Sequence, residues 1–133
     1  MRLTDHTDYS LRVLMYLNQK KELVTLNELA EALQISRNNL IKVSNRLAKQ
    51  GFIDTSRGPG GGLTIRPEAG KASLKDIISK TEETFQLAEC FQETKSNCTF
   101  LKRCRLKKSL NQALEAFLNS LEKTTLNDVT MPV

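Results

Sequence analysis

The feature that most constrains the fold is a pair of short amphipathic helix patterns separated by three residues. In the first pattern, over residues 26–33, apolar side chains recur at i, i+3, i+4 and i+7 behind a capping-box signature that begins at Thr25. The second covers residues 37–49, follows Ser36, a good helix cap, and ends before Gly51. Two such helices joined by a tight turn predict a helix-turn-helix.

The second helix contains no acidic residue, and its outer face combines asparagines with cations. Between residues 36 and 66, six basic side chains accompany one acidic side chain, so this stretch holds the whole net charge of +5. A solvated basic surface would give the same charge, but a helix made only for packing would usually mix Glu with Lys. Asn and Arg suit base edges, so the pattern favours DNA binding. The expected contacts are Ser36, Arg37, Asn38, Asn39 and Lys42.

A β-hairpin is predicted directly after these helices. Apolar and polar residues alternate on both sides of the segment GPGGG, residues 58–62, whose glycines permit a sharp reversal. Small residues would also let the tip approach a minor groove, although an ordinary flexible turn has the same composition. This order of elements predicts a winged helix-turn-helix over residues 1–72. The expected DNA contacts of the wing are Arg57, Gly58, Pro59, Gly60 and Gly61.

A long helix is predicted from Leu101 to about Thr124. Its apolar residues step by four and three, in the manner of a coiled coil: Leu106, Leu110, Leu114, Phe117 and Leu121. Such a stripe favours a two-fold homodimer, which would hold two recognition helices about 34 Å apart on a palindromic site. The alternative is that the helix folds back over its own winged domain. The tail NDVTMPV is expected to fray.

The fold class is therefore mainly α with a small β-hairpin wing, and residues 73–133 form a second unit after the winged domain. At the N-terminus a helix is predicted over residues 7–20, with Thr7 as its cap. Its apolar run, Val13 to Leu17, is too short for a signal peptide or a membrane span. The expected compartment is the cytoplasm, where thiols stay reduced and structural disulfides are rare.

All three cysteines, Cys90, Cys98 and Cys104, lie within the fifteen residues CFQETKSNCTFLKRC. An odd number does not suit a disulfide framework, and the gaps of seven and five residues are wider than the usual CxxC pairs of zinc sites. Wide gaps suit a larger object such as an iron–sulfur cluster, and neighbouring cations such as Lys95 and Lys102 favour thiolates. On spacing alone, three structural or free cysteines remain the alternative.

Four motifs, in order, resemble the NsrR family, nitric-oxide-sensitive winged-helix repressors related to the cluster-assembly regulator IscR. They are MRLTDHTDYSLRVL, SRNNLIKVSNRLAKQGFI, RGPGGG and the three cysteines before RLKKSL. The resemblance covers nearly the whole chain. It implies a homodimer that binds palindromic, double-stranded promoter DNA and holds a 4Fe–4S cluster, or else a 2Fe–2S cluster, on the cysteines of each subunit. The usual first gap in the family has five residues rather than seven, which leaves the path of this loop open.

The resemblance also implies a fourth ligand, Asp8, which would reach the cluster of the opposite subunit. Arg12, one helical turn later, would face the same side and orient or neutralise that carboxylate. The alternatives are His6 or a small exogenous ligand. Members of the IscR type use a histidine, but close to the third cysteine, where this chain has Arg105 and Lys107.

Taken with these features, the resemblance implies a dimeric transcriptional repressor whose DNA affinity is controlled by an iron–sulfur cluster that senses nitric oxide. One alternative is a related regulator that senses oxidants through its cysteines, binds zinc or regulates cluster assembly. Another is a protein that does not bind DNA, either a helical protein-interaction module with a basic groove or a small redox enzyme. An enzyme is not expected, because the single histidine has no Ser, Cys or Asp in a recognisable catalytic arrangement.

Overall fold

The computed structural model of the protein describes residues 1–92 and 96–133; Lys95, named above among the cations, lies outside them. Within these ranges the order of helices and strands is α1 (Asp5–Lys20), α2 (Leu26–Leu33), α3 (Arg37–Lys49), β1 (Ile53–Ser56), β2 (Gly62–Ile65), α4 (Leu74–Thr81), α5 (Arg105–Glu122) and α6 (Leu126–Val129). Short 3₁₀ turns connect some of these elements, at Pro67–Lys71, Glu89–Phe91 and Leu101–Arg103.

The first helix begins earlier than the sequence predicts. Thr4, not Thr7, is its N-cap, and the Thr4 hydroxyl accepts a hydrogen bond from the backbone N–H of Thr7 at 3.3 Å. Thr7 is fully buried inside the first turn, and its hydroxyl donates to the carboxylate of Glu82. The predicted cap was wrong because this distant partner takes up the hydroxyl that would otherwise serve as a local cap.

The helix-turn-helix has the predicted bounds. The hydroxyl of Ser36 caps α3 by accepting from the backbone N–H of Asn39 at 3.2 Å, and α3 packs inward through Leu40, Val43 and Leu47. At α2, Thr25 accepts from the N–H of Glu28 at 3.1 Å. The return bond of the predicted capping box is not formed there among the described residues, so only half of that motif exists.

The hairpin is an antiparallel pair in which Ile53 lies opposite Ile65. A second pairing fastens it to the segment before α2, because Val24 and Leu63 exchange backbone hydrogen bonds of 2.9 and 2.8 Å. A side chain at Gly62 would clash with the carbonyl oxygen of Val24, so only glycine permits this approach. The hairpin is therefore held beside the helix-turn-helix.

The hydrophobic core surrounds α1, whose central side chains, Val13, Leu14 and Leu17, are fully buried. Helices α3, α4 and α6 and strand β2 all pack against α1. Ile77 of α4 and Leu126 of α6 belong to the same cluster as the core of the winged domain. One core thus includes residues from both of the units that the sequence suggests.

Residues 127–130 of the C-terminal tail are ordered, contrary to the prediction that the tail frays, whereas Met131 and Val133 are 61% and 84% exposed. Leu126 is 0% exposed, and Thr125 and Asp128 form a complete capping box at the start of α6. The side-chain amide of Asn18 donates to Asn127 at 2.9 Å and to Thr130 at 2.8 Å. Burial and side-chain hydrogen bonds to α1 thus order a segment that looks polar and short in the sequence.

Helix α5 is shorter than predicted, because Leu101–Arg103 forms a separate 3₁₀ turn. It packs mainly on α4, with an ion pair between Lys75 and Glu122 at 2.9 Å, and none of its residues is buried. Leu106 is 66% exposed and Phe117 is 41% exposed. No helix in the part of the chain that the structure describes is long and apolar enough to cross a membrane.

Candidate nucleic-acid interface and metal-ligand residues

The outer face of α3 is free of acidic side chains and open to solvent. All five of the residues predicted to contact DNA there are exposed: Ser36, Arg37, Asn38, Asn39 and Lys42. The guanidinium of Arg37 donates to the side-chain oxygen of Asn27 in α2. Because the apolar stripe of α3 anchors the helix in the core, these polar groups are presented on a rigid element.

The tip of the hairpin is a tight, exposed turn. Gly58 and Gly60 have φ angles of +83° and +78°, which are costly for residues with a Cβ. The N–H of Gly61 donates to the carbonyl of Gly58 at 2.9 Å, and a Cβ at Gly61 would clash with Ser56. Arg57 and Pro59 are exposed at this tip. The predicted hairpin and its glycine requirement are confirmed.

An open groove of about 480 Å³ lies between α3 and the wing. Its lining brings together several predicted residues from two elements: Arg37, Arg57, Gly58, Gly60 and Gly61. The other predicted residues, namely Ser36, Asn38, Asn39, Lys42 and Pro59, lie outside this lining on exposed surface. The groove thus has a basic side chain on each of its two walls.

Two of the cations in the basic stretch are paired with carboxylates. Arg66 bonds to Asp54 at 3.1 Å across the base of the hairpin, and Arg46 approaches Glu83 at 3.8 Å. In residues 1–92 and 96–133, no ion pair involves Arg37, Lys42 or Arg57. The positive charge of α3 and the wing tip is therefore available to an anionic partner such as a phosphate.

The three cysteines are free thiols, each partly buried. Cys104 is the N-cap of α5, and its sulfur accepts a hydrogen bond from the backbone N–H of Lys107 at 3.3 Å. Two basic residues, Arg103 and Arg105, adjoin it in the chain. Cys104 therefore has surroundings that suit metal ligation or oxidation.

A cation–π contact connects the two ends of the cysteine segment. The ammonium of Lys107 lies 5.8 Å from the ring centre of Phe91, the residue after Cys90. This contact places the turn containing Cys90 against the start of α5, where Cys104 lies. Across the described residues, however, no three His, Cys, Asp or Glu side chains converge closely enough to hold a metal ion.

Asp8 and His6 lie near the start of α1. Asp8 forms a two-point ion pair with Arg12, at 2.6 and 3.1 Å, which confirms that the two side chains face the same side. The Nε2 atom of His6 is enclosed and has no hydrogen-bond partner among the described residues. Burial, together with the charge of Arg46, lowers the pKa of His6, while Glu83 and Glu82 oppose that shift.

Comparison with known proteins assigns the family. Residues 3–132 match Rrf2, described as an iron-dependent transcriptional regulator. The chain belongs to the Rrf2 family. The Rrf2 match covers almost the whole chain, which makes this protein a DNA-binding transcriptional regulator.

Two Rrf2 relatives illustrate the similarity. The HTH-type transcriptional regulator NsrR of Bacillus licheniformis is 41% identical over 133 residues, which is 98% of this chain and 93% of the relative. NsrR of Bacillus subtilis is 41% identical over 131 residues, which is 97% of this chain and 90% of the relative. The resemblance to the NsrR family drawn from four short motifs is therefore confirmed.

Solved Rrf2-type structures share the fold. Staphylococcus aureus CymR matches with a TM-score of 0.72 at 22% identity, over 98% of both chains. T. potens IscR also matches with a TM-score of 0.72, at 20% identity, over 96% of this chain and 85% of the other. The predicted winged helix-turn-helix with a C-terminal helix is confirmed.

The groove of this Rrf2 regulator is also lined by residues that were not among the predicted contacts, and two of the exposed ones belong to α3. Ile41 and Asn45 line it from α3, and Ile41 is 39% exposed. An exposed apolar side chain in a recognition helix suits the methyl group of thymine. The sequence does contain a signal, because Ile41 falls outside the buried stripe of Leu40, Val43 and Leu47.

Proposed function

We propose that this chain is a dimeric repressor whose affinity for palindromic promoter DNA is controlled by an iron–sulfur cluster that responds to nitric oxide. The observation that carries the proposal is the groove between the acid-free α3 and the glycine-rich wing, on the same chain as three free cysteines. The motif resemblance to the NsrR family supports nitric oxide as the signal. The expected compartment is the cytoplasm, where such thiols remain reduced.

DNA recognition is assigned to residues 1–72. Helix α3 would enter the major groove, where Asn38 and Asn39 suit adenine edges and Arg37 suits guanine or phosphate. The tip of the wing would lie over the adjacent minor groove, with Arg57 near the backbone. Ser36 and Lys42 would bond phosphates and fix the register of the helix on the DNA.

Dimer formation and ligand binding are assigned to residues 73–133. The partly exposed leucines of α5, together with Phe117, would pack against the same stripe of a second copy. A two-fold dimer of this kind would present two α3 helices to the two halves of a palindrome.

The donor set fits an iron–sulfur cluster by its chemistry. Thiolates are the usual ligands of such clusters, and the three cysteines are free, partly exposed and bordered by cations. Cys90, Cys98 and Cys104 would hold a 4Fe–4S cluster, or alternatively a 2Fe–2S cluster, with Asp8 of the partner subunit as the fourth ligand. When bound, the cluster supplies iron atoms that nitric oxide can attack.

Asp8 is able to exchange its partner at low cost. Its ion pair with Arg12 has side chains that are 42% and 49% exposed, and exposed pairs contribute only about 0.2–1 kcal/mol. Arg12 would then pair with the Asp8 carboxylate when Asp8 does not ligate the cluster. It would release that carboxylate when Asp8 does. The position of the first turn of α1 would thereby depend on whether Asp8 ligates the cluster.

A second candidate is direct oxidant sensing by the cysteines. The specific observation that favours it is Cys104 at the N-terminus of α5, where its partly exposed sulfur accepts a backbone hydrogen bond from Lys107 without any metal. Under this alternative, anaerobically purified protein would stay colourless after incubation with iron and sulfide. Under the proposed function it would acquire the absorption of a cluster, and Asp8→Ala would change that spectrum.

The deciding test is DNA affinity with and without the cluster. We expect the dissociation constants of the two forms for the same promoter fragment to differ by about 5–150-fold. If about six phosphates are neutralised, the affinity should fall about 10³-fold between 50 and 200 mM salt. Equal binding by the two forms would refute cluster control, and binding independent of salt would refute DNA recognition by this face.

A further inference from the structure

Glu82, at the C-terminal end of α4, is a buried carboxylate with an exposed fraction of 9%. Its oxygens accept hydrogen bonds from the backbone N–H of Thr4, at 3.2 and 3.3 Å, and from the hydroxyls of Thr4, at 3.0 Å, and Thr7. No cation forms an ion pair with it among the described residues. Its stabilisation comes from these donors and from the positive end of the α1 dipole.

These bonds complete the N-cap of α1 from a distant part of the chain. In an ordinary capping box, a Glu at the third helical position accepts from the N–H of the cap residue. That position in α1 is Thr7, whose hydroxyl accepts no bond from the N–H of Thr4 among the described residues. Glu82, 78 residues after Thr4, supplies the missing acceptor. The first turn of α1 is thus fixed to the end of α4.

The same first turn positions Asp8. The backbone N–H of Asp8 donates to the carbonyl of Thr4 at 3.0 Å, which is the first hydrogen bond of the helix. Since Glu82 holds both the N–H and the hydroxyl of Thr4, it determines where this turn starts. A change in the position of Asp8 therefore strains or relaxes the contacts of Glu82.

On its other side, the end of α4 touches the recognition helix. The side-chain amide of Gln50, the C-cap of α3, donates to the carbonyl of Lys80. The guanidinium of Arg46, in the last turn of α3, lies 3.8 Å from the carboxylate of Glu83. Residues 80–83 therefore contact the first turn of α1 and the last turn of α3 at once.

We propose that Glu82 is a positioning residue that couples the first turn of α1, and with it Asp8, to the recognition helix through residues 80–83. Because Asp8 is a ligand only under the function proposed above, this role in regulation rests on that function. When Asp8 is held by its ligand interaction, Glu82 and the end of α4 fix the tilt of α3. When Asp8 is released, the shared contacts shift and α3 loses that constraint.

The first test compares promoter affinity with and without the cluster in three variants. Glu82→Leu removes the acceptor, Glu82→Gln keeps one acceptor oxygen at the same length, and Glu122→Gln is the control. Glu122 also pairs with a residue of α4, Lys75, but touches neither α1 nor α3 in the contacts above. We expect Glu82→Leu to lower the ratio of the two affinities at least about 5-fold, Glu82→Gln to restore part of it, and the control to match the wild type.

Two outcomes distinguish failure of the proposed function from failure of the coupling role of Glu82. If the wild type binds equally with and without the cluster, the proposed function fails, and the role of Glu82 in regulation fails with it. If the wild type shows a large ratio that Glu82→Leu leaves unchanged while the cluster spectrum is also unchanged, only the coupling role is refuted. A reduced ratio with a normal cluster spectrum supports coupling rather than loss of the ligand site.

The second test needs no cluster and covers the case in which Glu82→Leu fails to fold. Thr7→Val removes one hydroxyl donor to Glu82 while keeping the shape of a fully buried side chain. In cluster-free protein, we expect this variant to accelerate amide hydrogen exchange in the first turn of α1 and in the last turn of α3, residues 46–50, but not in α5. Acceleration confined to α1 would refute the coupling.

Discussion

Helices α1 and α5 have similar lengths, 16 and 18 residues, but opposite relations to the core. Helix α1 buries seven residues and is surrounded by α3, α4, α6 and β2. Helix α5 buries none and packs mainly on α4. The first helix stabilises this chain, whereas the apolar stripe of α5 would be covered only in the proposed dimer.

This difference distinguishes stability that comes from folding within one chain from stability that would come from association of two chains. The core around α1 lies within one chain, so the effect of substitutions there on the free energy of unfolding should not depend on protein concentration. Under the proposed dimer, the contribution of α5 to the free energy of unfolding should depend on protein concentration, because it would come from association. Substitutions in the two helices can therefore be distinguished by how their effects change with dilution.

The largest effect is expected in α1. Leu17→Ala removes a side chain that is 0% exposed, and we expect the free energy of unfolding to fall by about 2–5 kcal/mol, measured by urea denaturation. The loss should be the same at low and high protein concentration. A loss below about 1 kcal/mol would mean that α1 is not the centre of the core.

The next effect is expected in α5 and concerns association. Phe117→Lys places a charge in the exposed apolar stripe, and we expect the dissociation constant of the dimer to rise by roughly 30-fold or more, measured by sedimentation equilibrium. Helix content should not change. Asn111→Lys, on an exposed position of α5 outside the stripe, is the control. An unchanged dimer would favour another interface.

A smaller effect is expected on the surface of the winged domain. Asn38→Ala should weaken binding to the operator by about 1–3 kcal/mol and relax the preference at one base pair. Arg57→Ala should weaken binding to all sequences and reduce the salt slope by about one phosphate. Both are measured by fluorescence anisotropy across salt concentrations. Equal loss on all sequences for Asn38→Ala would argue that α3 does not read bases there.

The smallest effect is expected at α6. The backbone N–H of Thr125, followed by its side chain, lowers the pKa of Asp128 in the folded protein. This stabilisation is therefore present above the ordinary pKa of Asp, about 3.9, and is lost as pH falls through the lower folded value. Asp128→Asn should melt at a lower temperature than the wild type at pH 7, and the gap should close in acid. A gap independent of pH would exclude this origin.

The parts of the fold that depend on adjacent residues could be predicted from the sequence. The bounds of α3 follow from Ser36 and Gly51, and the wing follows from its glycines, because caps and turns are local. The start of α1 was wrong by two residues, since Glu82 determines which threonine is the cap. The sequence did not predict that α6 is ordered, because the burial of Leu126 depends on packing against α1.

In the candidate site, too, features encoded by adjacent residues could be predicted, whereas features that need distant contacts could not. The exposed, acid-free face of α3 was predictable because helical periodicity assigns its inner and outer residues. The groove could not be predicted, since it requires the pairing of Val24 with Leu63 that fastens the wing to the segment before α2. The contact of Lys107 with Phe91 was also hidden, because no local pattern specifies which residues meet across a loop.

The burial of Leu126 has a practical consequence for anyone who manipulates this polypeptide. Helices α4 and α6 precede and follow the cysteine segment and α5 in the chain, and both contribute residues to the same hydrophobic core. Truncating the protein after Glu122 would remove Leu126 and leave a cavity in the hydrophobic core. Reporter fusions should therefore be joined beyond Thr130, whose hydroxyl still helps to lock the returning end to Asn18.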